Sequence, residues 1–126
     1  MGRFDAPAIV NGIRKLTGQP KVSYIGYALG NMQMFYAISK KTESYWAERL
    51  HNLIALAPCY LGPAVAEMAD IQNLHVHFLP ATHDKRCKVK RALEAYDQIL
   101  SPNKTWNQVE DAADHYYFEW ASSDSA

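Results

Sequence analysis

Short apolar runs alternate with helical periodicities along the chain, and this alternation is the first structural signal in the sequence. Apolar runs rich in β-branched residues and closed by glycine or proline predict strands, whereas apolar residues spaced three and four apart predict helices. Strands are predicted at 22–25, 53–57, 74–79 and 106–109. Helices are predicted at 5–17, 31–39, 44–50, 89–100 and 116–121. Because strands that alternate with helices build βαβ units, the sequence predicts one α/β domain with a parallel sheet.

Composition narrows the function classes. The 126 residues are 48% hydrophobic and 21% charged with a formal net charge of zero, which is typical of a globular domain and offers no basic excess for nucleic acid. The locally basic run at 85–91 opens a predicted helix, and we interpret it as a solvated face. No apolar stretch approaches the ~18–20 residues that a membrane span needs. We therefore expect neither a nucleic-acid partner nor a membrane span.

The cysteine and histidine residues do not have the spacing of a metal site. Cys59 and Cys87 match no metal or redox spacing, so the sequence predicts two reduced, partly buried thiols. His75 and His77 share a face of a predicted strand, but no third ligand stands at a convincing spacing. We predict no metal site and no cofactor.

The pentapeptide Gly26-Tyr27-Ala28-Leu29-Gly30, here called the elbow, follows the first predicted strand and leads into a helix. In a G-x-S-x-G turn the glycines permit a sharp, strained bend that exposes a nucleophilic serine, and the next backbone amide helps to form the oxyanion hole. Ala28 stands at the nucleophile position, so the serine is lost, and the amide of Leu29 is the candidate oxyanion donor. Glycines are common at strand-to-helix turns, so the pentapeptide alone is weak evidence.

Residues around the elbow carry a more specific resemblance. The segments concerned are 4–8, 16–19, 24–30, 33–36 and 54–58. In order and spacing they resemble the acid lipase family, which includes the gastric and lysosomal lipases and their protist relatives. The resemblance covers about the first sixty residues. It implies a partial α/β-hydrolase fold, the second half of the family's fold, with about four parallel strands flanked by helices. It also implies that residues 1–126 form a single truncated domain whose lid is largely absent, reduced to 61–73.

The resemblance further implies an acid and a histidine that follow the nucleophile, each just beyond a later strand. Asp84 follows the strand at 74–79 and is the candidate triad acid, and His115 follows the strand at 106–109 and is the candidate triad base. A lone aspartate or histidine in a loop is commonly only solvated, but this order favours hydrolase ancestry. A flavodoxin-like or other half-wound binding domain also fits the βα pattern, although it leaves Asp84 and His115 unexplained.

Two functions follow from these residues. The first is a catalytically inactive lipase-like hydrolase that acts as a binding or assembly component, with an ester or lipid as its ligand. The alternative is a carboxylic ester hydrolase, or lipase, present as a fragment or with its catalytic serine mutated to Ala28. In the family the strand at 22–25 lies in mid-sheet, so here its outer edge would be unpaired. We expect a second copy of this chain or another polypeptide to cover that edge.

Overall fold

The computed structural model of the chain describes residues 3–41, 43–60, 74–110 and 114–115. The elements are α1 (Asp5–Thr17), β1 (Val22–Tyr27), α2 (Leu29–Ser39), α3 (Glu43–Ala47), β2 (Leu50–Leu56), β3 (His75–Leu79), α4 (Val89–Gln98) and β4 (Lys104–Trp106). Four predicted strands and four predicted helices are thus confirmed in type and order. The reduced lid at 61–73 and the helix at 116–121 lie outside the described residues. Within the described ranges, no helix has the length and apolar character to cross a membrane.

The four strands form one parallel sheet in the order β1-β2-β3-β4. Each pair of neighbouring parallel strands needs a crossover connection, which α2 and α3 supply between β1 and β2, and α4 supplies between β3 and β4. Because the strands run in the same direction, the loops that follow them meet at the edge of the sheet formed by the carboxyl ends of the strands. Every predicted site residue lies at that edge. The parallel α/β architecture predicted from the sequence is confirmed.

The boundaries of the strands differ from the prediction by one to three residues; β1 ends two residues later, β2 ends one residue earlier and β3 begins one residue later than expected. β2 begins at Leu50, three residues earlier than expected, because Val22 on β1 pairs with Leu50 across a register irregularity. β4 spans Lys104–Trp106, so it begins two residues and ends three residues earlier than expected, and beyond it Val109 makes an isolated bridge to Ala81.

The core is centred on Phe78, which lies on β3 and has no exposed surface. Its ring stacks on Phe35 of α2 at 5.6 Å and on Trp106 at 6.1 Å, and it meets the edge of Tyr96 of α4 at 5.5 Å. These contacts tie the helices to the sheet and bury the aromatic area that stabilises it. Trp106 therefore packs on the core through Phe78 and Tyr96.

One side of the fold leaves apolar side chains in solvent. Helix α1 buries Ala6 and Val10, whereas its Ile9 and Leu16 are 57% and 87% exposed. Ile25 on β1 is 63% exposed, and among the described strands β1 has a neighbour on one side only. The outer edge of β1 is therefore unpaired within this part of the chain.

The expectation of two reduced thiols is wrong, because Cys59 and Cys87 form a disulfide with their Cα atoms 4.4 Å apart. Cys59 lies three residues beyond β2, and Cys87 lies in the loop between β3 and α4. The two cysteines are 28 positions apart in the sequence, which matches no pairing pattern. They meet because β2 and β3 are adjacent and parallel, so the loops after them converge.

Candidate functional site

The elbow is as sharp as the G-x-x-x-G pattern predicts. β1 ends at Tyr27 and α2 begins at Leu29, which leaves Ala28 alone between strand and helix with φ 50° and ψ −114°. This backbone conformation disfavours any residue that has a Cβ, and such strain persists only where the surroundings enforce it. Here the Ala28 amide donates to the Leu56 carbonyl at 3.1 Å, and the Ala28 carbonyl accepts from the Asn31 amide at 3.2 Å. Ala28 is thus held at the edge where the loops of β2 and β3 meet.

The two glycines of the elbow have different roles. A Cβ placed on Gly26 would overlap Oδ1 of Asn31 and would lie 2.9 Å from its Cγ and 3.0 Å from Cε1 of Tyr24. A Cβ placed on Gly30 would meet only the Tyr24 hydroxyl, at an ordinary 3.8 Å. Close packing therefore requires glycine at position 26 and does not require it at position 30.

Asn31, predicted from the sequence only as the start of a helix, is a structural residue of this site. Its side chain is fully buried, and Nδ2 donates to the Leu56 carbonyl at 2.8 Å. Oδ1 has no hydrogen-bond partner among the described residues. Asn31 therefore joins the first turn of α2 to the end of β2. A polar residue directly after the elbow, in a helix whose other positions are largely apolar, was the available signal.

Asp84 and His115, predicted separately, lie in direct contact. Oδ2 of Asp84 is 2.8 Å from Nδ1 of His115, and the two residues are only 6% and 9% exposed. Oδ1 of Asp84 accepts the backbone amides of Arg86 and Cys87 at 2.8 and 2.7 Å. With one oxygen fixed by two amides, the other is directed at the imidazole. A carboxylate in this position orients a histidine and selects its tautomer.

Tyr27 connects this pair to the elbow. Its hydroxyl donates to the backbone carbonyl of His115 at 2.6 Å, and the two rings are 5.4 Å apart. Tyr27 immediately precedes Ala28 in the chain. The structure therefore joins the elbow, His115 and Asp84 at one edge of the sheet, with Leu29, the candidate oxyanion residue, as the first residue of α2. This role of Tyr27 is not predicted by the sequence, in which its position inside the elbow is the available signal.

A cavity of about 380 Å³ opens beside His115. It is lined by His83, Lys85, Arg86, Asp114 and His115. Its volume falls near the lower end of the ~300–1,000 Å³ range typical of small-molecule pockets. Lys85 and Arg86, which begin the basic run, are exposed as predicted, and they also border this cavity.

Cys87 is the third potential ligand at the Asp84–His115 pair. One carboxylate oxygen of Asp84, one ring nitrogen of His115 and Sγ of Cys87 all lie within 4.8 Å of one another, and all three residues are buried. His77 is not part of this group, and its Nδ1 lies 2.7 Å from the Thr105 hydroxyl.

Superposition on solved structures identifies the class of fold to which this chain belongs. The chain superposes on a predicted CIB-like hydrolase from Thermoplasma acidophilum with a TM-score of 0.69, covering 94% of this chain and 56% of that one at 15% identity. With a monoacylglycerol lipase from Paleococcus ferrophilus the TM-score is 0.71, covering 94% and 72% at 12% identity. Identities this low show a shared fold and nothing narrower. This chain has a partial α/β-hydrolase fold.

Sequence similarity narrows the class for part of the chain. Over 58 residues, 46% of this chain, it is 43% identical to human lipase member M and 38% identical to rat gastric triacylglycerol lipase. It is 40% identical to a Macaca fascicularis lysosomal acid lipase/cholesteryl ester hydrolase over the same length. No family model matches the chain. The matched stretch spans 13–14% of these relatives. Part of this chain is thus lipase-like, of the gastric and lysosomal type.

Proposed function

We propose that this lipase-like α/β-hydrolase binds an ester or lipid ligand without cleaving it. The observation that carries the proposal is the methyl group of Ala28 at the strained position of the elbow, where the attacking oxygen of a serine hydrolase would stand. Losing the nucleophile costs a serine hydrolase on the order of 10⁶ in turnover, while ~10³–10⁴ of rate enhancement can survive through binding and the oxyanion hole. A chain that has lost its nucleophile can therefore still bind the ligand.

The hydroxyls of Tyr27 and Ser23, on the strand that leads into the elbow, have other partners, which supports the proposed loss of nucleophilic chemistry. The Tyr27 hydroxyl donates to the His115 carbonyl, so its oxygen is directed at the backbone of the base and not at a ligand. The Ser23 hydroxyl accepts a hydrogen bond from Nδ2 of the Asn52 side chain at 3.4 Å, between β1 and β2. Neither group is arranged to replace the missing serine.

The surroundings of His115 favour ligand binding. The cavity of about 380 Å³ beside it is large enough for a small ester, and the imidazole on its wall is oriented by Asp84. The Leu29 amide, at the N-terminus of α2, is the proposed oxyanion donor for a ligand carbonyl. Asp84, His115 and Leu29 would then position a ligand that no residue attacks.

The second candidate function is a carboxylic ester hydrolase, with Ala28 in place of its catalytic serine or with the chain as a fragment of the enzyme. The observation that favours it is the preserved acid–base pair, buried and hydrogen-bonded at 2.8 Å. A serine at position 28 would transfer its proton to His115 as it attacks the ester carbonyl, while Asp84 stabilises the resulting imidazolium. That chemistry requires one additional oxygen.

The Ala28→Ser variant separates the two functions. It is assayed with a short-chain p-nitrophenyl ester and with a fluorophosphonate, which labels an activated serine as fluoride leaves. The matched control is Ala28→Ser combined with His115→Ala, which has the same hydroxyl and no base. If the chain is a binding protein, both variants hydrolyse the ester at the background rate and remain unlabelled. If it is an ester hydrolase, the single variant exceeds the control by about 10²-fold or more.

A binding measurement on the unchanged chain completes the test. Saturation-transfer NMR with the same p-nitrophenyl ester is expected to show bound ester while no p-nitrophenolate is released. A chain that neither binds the ester nor gains activity as Ala28→Ser would overturn both functions.

We also propose that a partner covers the outer edge of β1, either a second copy of this chain or another polypeptide. The unpaired edge, the exposed Ile25 and the exposed apolar positions of α1 support this proposal. Open strand edges next to apolar side chains invite pairing with another chain.

A further inference from the structure

We propose that reduction of the Cys59–Cys87 disulfide turns the Asp84–His115 pair into a three-ligand site for a zinc-like divalent cation, with the Cys87 thiolate as third ligand. This site goes beyond the proposed function and does not depend on ester binding. Carboxylate, imidazole and thiolate are the three side-chain ligand types of protein zinc sites.

The distances require only small movements. Metal–ligand bonds of about 2.0–2.3 Å place neighbouring ligand atoms of a tetrahedral zinc about 3.3–3.7 Å apart. The three ligand atoms already lie within 4.8 Å of one another, and Oδ2 of Asp84 is 2.8 Å from Nδ1 of His115. Shifts of about 1 Å therefore suffice to place a metal between them.

Asp84 is prepared for coordination through one oxygen. The Arg86 and Cys87 amides hold Oδ1, which leaves Oδ2 directed at the other two ligand residues. Hydrogen bonds of this kind to the non-coordinating oxygen orient carboxylate ligands in metal sites. Asp84 and Cys87 lie three residues apart in the same loop. The hydrogen bond from the Cys87 backbone amide to Oδ1 of Asp84 holds these two ligand residues together.

The redox step decides whether the third ligand exists. In the structure Sγ of Cys87 is bonded to Cys59 and carries no thiolate charge. A phosphine reductant breaks this bond, yielding two thiols and the phosphine oxide, with the oxygen and both protons taken from water. The cation then binds the Cys87 thiolate and releases its proton, and it needs a neutral imidazole at His115. Three protein ligands leave one tetrahedral position for solvent.

Two single substitutions test the site, because both remove the disulfide and only one keeps the ligand. Cys59→Ser leaves the Cys87 thiol unbonded, whereas Cys87→Ser removes it. Zinc binding is measured by titration calorimetry, and cobalt(II) is used to detect thiolate-to-metal charge-transfer absorption. We expect Cys59→Ser to bind one cation without reductant, at least about tenfold more tightly than Cys87→Ser, and only Cys59→Ser to show the absorption band.

The unchanged chain provides the second measurement, which does not depend on how either variant folds. It should bind zinc after treatment with the phosphine and release it on reoxidation. Asp84→Asn in the Cys59→Ser background should weaken zinc binding at least about tenfold. Equal affinities of the two cysteine variants, or no zinc binding by the reduced chain, would overturn the proposal.

Discussion

The two glycines of the elbow should respond to alanine in opposite directions. In Gly26→Ala the new methyl group overlaps Oδ1 of the fully buried Asn31, whose Nδ2 is bonded to the Leu56 carbonyl. In Gly30→Ala the methyl group meets only the Tyr24 hydroxyl, at 3.8 Å. The two substitutions add the same atoms four residues apart, so each is the control for the other.

The magnitudes follow from these contacts. Overpacking costs about 1–3 kcal/mol, and displacing Asn31 adds about 1 kcal/mol for its hydrogen bond, against about 0.5 kcal/mol gained because alanine restricts the unfolded chain. Gly26→Ala should therefore lower the free energy of unfolding by about 1.5–3.5 kcal/mol. At about 3–5 °C per kcal/mol for a chain of this size, the melting temperature falls by about 5–17 °C. Gly30→Ala lies in the first turn of α2 and should raise the free energy of unfolding by about 0.5 kcal/mol.

Urea denaturation followed by tryptophan fluorescence measures both variants, since the chain contains three tryptophans. The slope of the transition should stay constant, which indicates that the free energy of unfolding has changed and not the surface exposed. If Gly26→Ala is as stable as the unchanged chain, or if Gly30→Ala loses as much as Gly26→Ala, the packing described around Asn31 is refuted.

Three further predictions address the same region. Ala28→Gly should raise the free energy of unfolding, measured in urea, by about 0.5–1 kcal/mol, because the strain relieved at the positive φ exceeds the entropy that glycine adds to the unfolded chain. A lower free energy of unfolding would contradict the strain at this position. Burial raises the pKa of Tyr24 above 10.0. The protonated Tyr24 side chain therefore contributes fully to stability below about pH 10, and this contribution is lost as the pH rises through the pKa of Tyr24 in the folded state. Urea denaturation at pH 8 and pH 11 should therefore show a smaller alkaline loss for Tyr24→Phe than for the unchanged chain, and equal losses would refute this. Light scattering at tens of micromolar protein should show a species larger than the monomer. The Ile25→Lys substitution should dissociate this species, and the control substitution Lys15→Glu should not. A monodisperse monomer would count against self-association and leave another polypeptide as the partner.

Local patterns in the sequence were sufficient for the parallel α/β sheet and for the elbow. Strand and helix periodicity is encoded within short windows, and the turn at Ala28 depends on adjacent residues. The pair of Asp84 and His115 was anticipated from the resemblance, which implies an acid and a histidine each just beyond a later strand of the parallel sheet. Their assignment as triad acid and base remains a prediction.

What the sequence did not reveal depends on long-range packing. The Cys59–Cys87 disulfide bridges two loops with no spacing motif, and the link from Tyr27 to His115 spans 88 positions. The start of β4 was misplaced because its pairing is set by β3 and not by its own short apolar pattern. Contacts of these kinds depend on strand register and on the convergence of loops, which local sequence patterns do not reveal.

The shape of the elbow does not depend on the residue that a hydrolase uses there. The bend at Ala28 is fixed by the Leu56 carbonyl, by the amide of Asn31 and by the space that Gly26 leaves open, and none of these contacts involves a side chain at position 28. Replacing a serine by alanine at this position therefore removes the attacking oxygen and leaves the supporting geometry in place. For the same reason, a hydroxyl introduced at position 28 should meet an elbow that is already formed. The activity of Ala28→Ser then reports whether His115 and the proposed oxyanion amide are positioned for catalysis, and not whether the turn can be rebuilt.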